Sequence, residues 1–193
     1  MALIKKWQSA QLSKVDYMSS FVVRKSHELI TKIKNKDIAI DCTLGNGHDS
    51  LFLSSLFNEV HSIDIQPLAI KRSKERLKDT SNTYLYLLDH KDIDLLNINN
   101  VDLILYNLGF LPGSDKKVTT NYLSTLTSLK KALSLINDEG VIIIASYIRH
   151  PNGKEEYNAI INYLNQEKLN YNLYKSEDSF DILIEIKKGL LRN

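Results

Sequence analysis

Five short runs of mainly aliphatic residues punctuate the chain at 38–42, 59–65, 83–88, 101–106 and 141–147. They are continuous rather than alternating, the pattern of strands covered on both faces in a parallel sheet. Between them the apolar spacing becomes helical over 49–57, 67–77 and 119–135. This alternation predicts an α/β fold with a doubly wound, Rossmann-like sheet and helices on both faces. Two more strands, at 170–175 and 181–187, follow a helix at 155–167 and are expected to pair as an antiparallel C-terminal hairpin. The sheet is then seven-stranded and mostly parallel. Ahead of the first strand, 17–34 has helical spacing through Phe21, Leu29 and Ile33. The expected organisation is a single domain over 1–193 with an N-terminal helical extension over about 1–36.

Bulk properties narrow the class only a little. The chain has 193 residues, 43% of them hydrophobic, enough to bury a continuous core. Lysine and arginine total 25 against 23 aspartates and glutamates, a formal charge of +2. Any nucleic-acid contact must therefore come from a local patch. Cys42 is the only cysteine, which excludes an intrachain disulfide framework and a cysteine-rich zinc site, and no metal is expected. The first twenty residues carry no apolar stretch of the secretory kind and no run approaches a membrane span, so a cytoplasmic protein with no membrane partner is expected.

Glycine and proline mark the ligand site. Gly45 and Gly47 follow the first strand, Pro67 the second, Gly109, Pro112 and Gly113 the fourth, and Pro151 and Gly153 the fifth. Nearly all lie beyond the carboxyl ends of strands, where an open α/β sheet binds its ligand. The first loop has Ser50 where a dinucleotide fingerprint needs a third glycine, and Asp49 at the helix start would repel a pyrophosphate. S-adenosyl-L-methionine has no phosphate and carries an ammonium, which suits an acidic residue such as Asp41. Asp64 closes the second strand about twenty residues later, the place for a carboxylate accepting both ribose hydroxyls, and Asp89 is positioned to accept from an adenine amino group. The cofactor-binding set is thus Asp41, Thr43, Gly45, Asn46, Gly47, His48 and Asp49 in the first loop, Asp64, Ile65 and Gln66 in the second, Asp89 and His90 in the third, and Asn107 in the fourth. Each aspartate also has a plainer reading as a cap of the following turn.

The blocks Asp41-x-Thr43-x-Gly45-Asn46-Gly47-His48-Asp49, Asn107-Leu108-Gly109-Phe110-Leu111-Pro112-Gly113-x-Asp115-Lys116 and His150-Pro151-x-Gly153-Lys154-Glu155-Glu156 resemble the family described as "putative rRNA methylase", which includes YtqB/MnmM-like enzymes. The resemblance covers roughly residues 20 to 188. It implies a class I S-adenosylmethionine-dependent methyltransferase acting on the tRNA anticodon stem-loop. The implied acceptor is the 5-aminomethyl group of 5-aminomethyl-2-thiouridine at the wobble position. Composition and spacing by themselves do not indicate that substrate.

Asn107 ends the fourth strand, where many amine methyltransferases carry an Asn/Asp-Pro-Pro-aromatic motif. There the side-chain oxygen and the next backbone carbonyl, here that of Leu108, accept hydrogen bonds from the acceptor nitrogen. Leu108 and Gly109 replace both prolines, so the loop need not share that motif's rigidity. Asp115 and His150 are the candidate proton acceptors. Phe110 is either a platform for a uracil ring or a core aromatic. Lys116, Lys117, Arg149 and Lys154 lie in loops on the ligand side and are candidates for RNA phosphates. Taken singly, His27, His48, His61 and His90 gain no chemical role from residue type alone. The scattered Tyr157, Tyr163, Tyr171 and Tyr174 read as packing. Still open are an rRNA base as acceptor, a noncatalytic RNA- or partner-binding module of the same fold, and a nucleotide-dependent oxidoreductase, which the absent third glycine disfavours. The choice between monomer and homodimer is open too.

Overall fold

The computed structural model describes residues 20–111, 119–149, 151–177 and 180–188. In chain order these form α1 (Phe21–Thr31), β1 (Ile38–Asp41), α2 (His48–Ser54), β2 (Glu59–Asp64), α3 (Pro67–Arg76), β3 (Thr83–Leu87), a 3₁₀ segment (His90–Leu96), β4 (Val101–Asn107), α4 (Tyr122–Leu135), β5 (Ile136–Ser146), α5 (Gly153–Gln166), β6 (Tyr171–Lys175) and β7 (Ile182–Lys187). The strands make one sheet in the order β3-β2-β1-β4-β5-β7-β6. The first five run parallel, and β7 pairs antiparallel with both β5 and β6. The expected mixed sheet with its terminal hairpin is therefore present.

Two details differ from the sequence reading. The 3₁₀ segment was not anticipated, because seven residues are too few to set up a helical period. The fifth strand begins at Ile136 instead of 141, with Ile136 pairing Val101 before a register shift. Asn137, Asp138 and Glu139, polar residues outside the apolar run, are included in the strand.

The sheet separates two apolar layers, as continuous apolar strands require. Ile40, Ile63, Ile104, Tyr106, Ile142 and Ile144 face α4 and α5 through Leu129, Ala132, Ile160 and Leu164. Ala39, Val60, Leu103, Leu105 and Ile143 face α1 and α2 through Val22, Ile30 and Leu53. Helix α1 buries Val22, Ser26 and Ile30, one stripe at intervals of four. No helix among the described residues is long and apolar enough to cross a membrane.

Buried carboxylates tie the strand ends together. At the amino end of β1, Asp102 of β4 accepts from the Asp37 and Ile38 backbone amides (2.8 and 3.0 Å) and from the Asn137 side-chain amide (2.6 Å). At the other end, Asp41 is fully buried and accepts from the Thr43 backbone amide (3.0 Å) and the Ser50 hydroxyl (2.6 Å), which also meets Ser62. Asp41, expected to face a ligand ammonium, is not among the residues lining the cavity at the strand ends: Ser50 draws the carboxyl into the interior, where it closes the β1–α2 loop. Burial, and next the neighbouring Asp49 charge, push its pKa up to about 7.

Asp102→Ala should lower stability by about 2 to 4 kcal/mol, since it strands three donors; urea unfolding measures it. For Asp41 the unfolded chain ionises near the ordinary 3.8 while the folded carboxyl keeps its proton up to about 7. The folded state then binds more protons in that window, so this contribution to stability is whole below about pH 4 and is lost as pH rises through 7. Asp41→Asn keeps an acceptor for Thr43, turns an NH₂ toward the Ser50 oxygen as the protonated carboxyl can turn its O–H, and should flatten that slope in a melting-temperature series across pH. An unchanged slope would assign it to another group.

Candidate active site

A cavity of about 440 Å³ opens at the carboxyl ends of the parallel strands. The β1–α2 loop forms its floor through Thr43, Gly45, Asn46, His48 and Asp49. Gly47 stands apart: its φ is +77°, and a Cβ there would lie 2.8 Å from Ser73 Oγ, so it lets α3 pack against the loop instead of facing the cavity. Asn46 is held from outside, its side chain accepting from Arg72 (3.3 Å) and its carbonyl from Arg76 (2.7 Å).

Asp64, Ile65 and Gln66 form the second wall. The Asp64 carboxylate accepts from the Gly45 amide (2.9 Å) through one oxygen and the Gln66 amide (2.8 Å) through the other. Each oxygen has a second lone pair. Burial nonetheless holds its pKa above the ordinary value. Ile65 is 57% exposed at the cavity rim. From the third loop come Asp89 and His90. Asp89 accepts from the Lys91 amide (3.0 Å) and the Ser124 hydroxyl (2.7 Å). Burial would raise its pKa, but these donors and nearby positive charge outweigh that and bring it below the usual range. His90 is buried and hydrogen bonded to the Cys42 backbone, yet its Nε2 has no partner among the described residues. Burial lowers its pKa, which favours the neutral ring.

The fourth loop contributes Asn107, Leu108, Gly109 and Phe110. The Asn107 backbone amide donates to Thr43 Oγ1 (2.7 Å) and its side-chain Nδ2 to Asp49 Oδ2 (3.1 Å). The other Asp49 oxygen meets His27 Nε2 of α1 at 2.8 Å. Burial would raise Asp49, but the His27 contact, followed by Asn107 and His48, overcomes it and the carboxyl stays ionised. After Asn107 the missing prolines are replaced by bracing. The Gly109 amide donates to Thr120 Oγ1 (3.0 Å) and its carbonyl accepts from the Thr120 amide (2.9 Å). Thr120 in turn donates to Glu156 Oε2 (2.8 Å), a buried carboxylate on α5 that also accepts from Thr125 (2.6 Å). Gly109 has φ +145°, a value that disfavours any side chain. Phe110 forms an isolated bridge with Thr119.

The structure thus gathers around one cavity every predicted cofactor-site residue except Asp41 and Gly47, together with Leu108 and Phe110. Arg149 and Lys154 are exposed outside the cavity walls, Arg149 with its guanidinium 3.8 Å from the Phe180 ring centre. Asp115, Lys116, Lys117 and His150 lie outside the described residues. Sequence reasoning missed Tyr147, Thr120, Asn121 and Ser124, which also line the cavity. It missed His27 as well, which reaches the site through Asp49. Tyr147 directly follows the fifth strand, so the rule that found the other loops could have found it.

Comparison with known proteins agrees with this geometry. The family model described as "Putative rRNA methylase" matches residues 60–179. A chloroplast tRNA (mnm(5)s(2)U34)-methyltransferase of Arabidopsis thaliana is 31% identical over 144 residues, 66% of this chain and 53% of that protein. The ribosomal RNA small subunit methyltransferase H of Brachyspira hyodysenteriae is 35% identical over 82 residues, 39% of this chain and 27% of that one. The chain therefore spans about half the length of the first relative and about a quarter of the second. Among solved structures, a putative methyltransferase from Streptococcus mutans in complex with SAH superposes with TM-score 0.79 and 30% identity, covering 89% of this chain and 99% of that one. A putative rRNA methylase from Clostridium thermocellum gives 0.81 and 28% over the same shares. The fold is that of the class I S-adenosylmethionine-dependent methyltransferases, and the chain belongs to the rRNA methylase family whose model it matches.

Proposed function

We propose that this protein transfers a methyl group from S-adenosylmethionine to RNA. We further propose that the acceptor is the 5-aminomethyl group of 5-aminomethyl-2-thiouridine at the wobble position of tRNA, presented on the anticodon stem-loop. One observation carries the reading: a single cavity combines a carboxylate suited to ribose hydroxyls with an Asn107 amide whose Nδ2 is already committed to Asp49. The 31% identity to the chloroplast wobble-uridine methyltransferase supports the finer choice of substrate.

The residues present fit the cofactor. Asp64 lines the cavity with its carboxylate held by the Gly45, Gln66 and Ile65 amides, and a carboxylate has acceptor capacity beyond three donors for a ribose hydroxyl. The unpartnered His90 Nε2 in the cavity wall is a buried polar atom that a ligand edge would satisfy. The cofactor, when bound, supplies a methyl group already activated on a sulfonium, so the protein's share is positioning and desolvation more than base catalysis. Asn107 Oδ1 accepts an N–H from the neutral acceptor amine and aims its lone pair at the methyl carbon. Phe110 offers an aromatic face to the base, and the braced Gly109 backbone keeps both groups in register. Arg149 and Lys154, with Lys116 beyond the described residues, are assigned to phosphates around the rim.

A second reading, an rRNA base as acceptor, draws on the family description and on the 82-residue match to the small-subunit rRNA methyltransferase. Mass spectrometry of tRNA and rRNA nucleosides from cells lacking the protein separates the two. Accumulation of the unmethylated aminomethyl nucleoside supports the tRNA assignment, and loss of an rRNA methyl group alone overturns it.

Asp64→Ala should weaken S-adenosylmethionine binding by about 1 to 3 kcal/mol through loss of charged hydrogen bonds. Calorimetry on the folded variant measures this, and an unchanged affinity would move the ribose elsewhere. Asn107→Ala should leave cofactor affinity nearly intact while slowing single-turnover methyl transfer to hypomodified tRNA on the order of a hundredfold. Near-normal turnover would place the acceptor at another group.

A further inference from the structure

His27 is not in the cavity wall, yet it stands at the end of a chain of contacts that reaches the acceptor site. We propose that His27 is a positioning residue for methyl transfer: it anchors Asp49, and Asp49 fixes which end of the Asn107 amide faces the acceptor. This rests on the reading of Asn107 as the group that receives the acceptor amine.

An asparagine amide turned by 180° exchanges a donor for an acceptor in nearly the same volume. Only one orientation can accept an N–H from an amine. Asp49 decides between them, because an ionised carboxylate only accepts and so can face Nδ2 but repels Oδ1. Its Oδ2 is 3.1 Å from Asn107 Nδ2. The Tyr147 side chain is hydrogen bonded to Asn107 as well.

The carboxylate is itself fixed by His27, whose Nε2 lies 2.8 Å from Oδ1. The imidazole is clamped against Phe52 of α2, with ring centres 3.8 Å apart and planes within 8°. His27 thus sets both the rotamer of Asp49 and its ionisation. Without this partner only the Asn107 amide and His48 oppose burial at Asp49, and the balance moves toward the protonated carboxyl. A protonated Asp49 can donate to Oδ1, so the reversed amide becomes competitive and the acceptor amine meets an NH₂ group.

The stacking and the hydrogen bond can be separated. His27→Phe keeps an aromatic ring against Phe52 but removes the N–H, whereas His27→Gln loses the ring and keeps a donor. Single-turnover transfer to tRNA from cells lacking the protein is measured for both, in the native background and with Asn107→Ala. His27→Phe should lose on the order of tenfold to a hundredfold in rate, with S-adenosylmethionine affinity within about threefold, and His27→Gln should recover most of the loss. In the Asn107→Ala background His27→Phe should cost less than about threefold, because the group it orients is gone. Equal losses in both backgrounds, or recovery by Phe and not Gln, would overturn the proposal in favour of packing. A second readout needs no turnover. The Asn107 side-chain NH₂ resonances should be protected from exchange in the native protein and in His27→Gln, and lose protection in His27→Phe. Unaltered protection in His27→Phe overturns the positioning role even if no RNA tested is methylated, an outcome that would count against the proposed reaction instead.

Discussion

A loop that turns without regular structure leaves backbone amides that must find acceptors, and in the β1–α2 loop two carboxylates provide them. Asp41 takes the Thr43 amide from within the core and Asp64 takes the Gly45 amide from the neighbouring strand. Once the loop is held at both points, the Thr43 hydroxyl is fixed and receives the Asn107 amide at the end of β4. Geometry thus passes from carboxyl to backbone, then to hydroxyl, and finally to Asn107 in the cavity wall. The arrangement relies on β2 and β4 both running past the end of β1, so that Asp64 and Asn107 flank the loop from its two sides, which parallel pairing of β1 with both strands secures.

Much of this was legible in the chain because the physics is local. Strands buried on both faces must be continuously apolar, and their carboxyl ends are marked by glycine and proline. Both signals survive in the order of residues. The fate of Asp41 was not legible. Its position at a strand end matches that of Asp64, but Ser50, whose presence argued against a dinucleotide site, turns the Asp41 carboxyl inward. His27 left no local signal either: its partner is 22 residues away and sits on a different helix. A single histidine on the flank of a buried stripe looks the same in sequence whether it touches solvent or a buried carboxylate.

The region after β4 illustrates how one mechanical requirement can be met in two ways. In the Asn/Asp-Pro-Pro-aromatic pattern, stiffness comes from pyrrolidine rings within the loop itself. Here the loop is pliable in composition, and stiffness comes from Thr120 and Glu156, which lie 11 and 47 residues beyond Gly109 in the sequence. Burial keeps the Glu156 pKa raised even against two hydroxyl donors, so the brace contains a carboxyl that ionises reluctantly. A scan limited to the motif itself would judge the loop loose.

Cys42 has a use unrelated to catalysis. It is the chain's sole thiol, it directly follows β1 with 2% of its surface exposed, and burial pushes its pKa well above the usual thiol range. Because thiolates are the species that alkylating and disulfide reagents attack, the folded molecule withholds its only reactive sulfur. Cys42 lies beneath the cavity wall, so modification requires the β1–α2 loop around it to open. The native protein consequently carries an intrinsic clock: its rate of labelling counts openings of the cavity floor, with no probe introduced and no competing site to subtract.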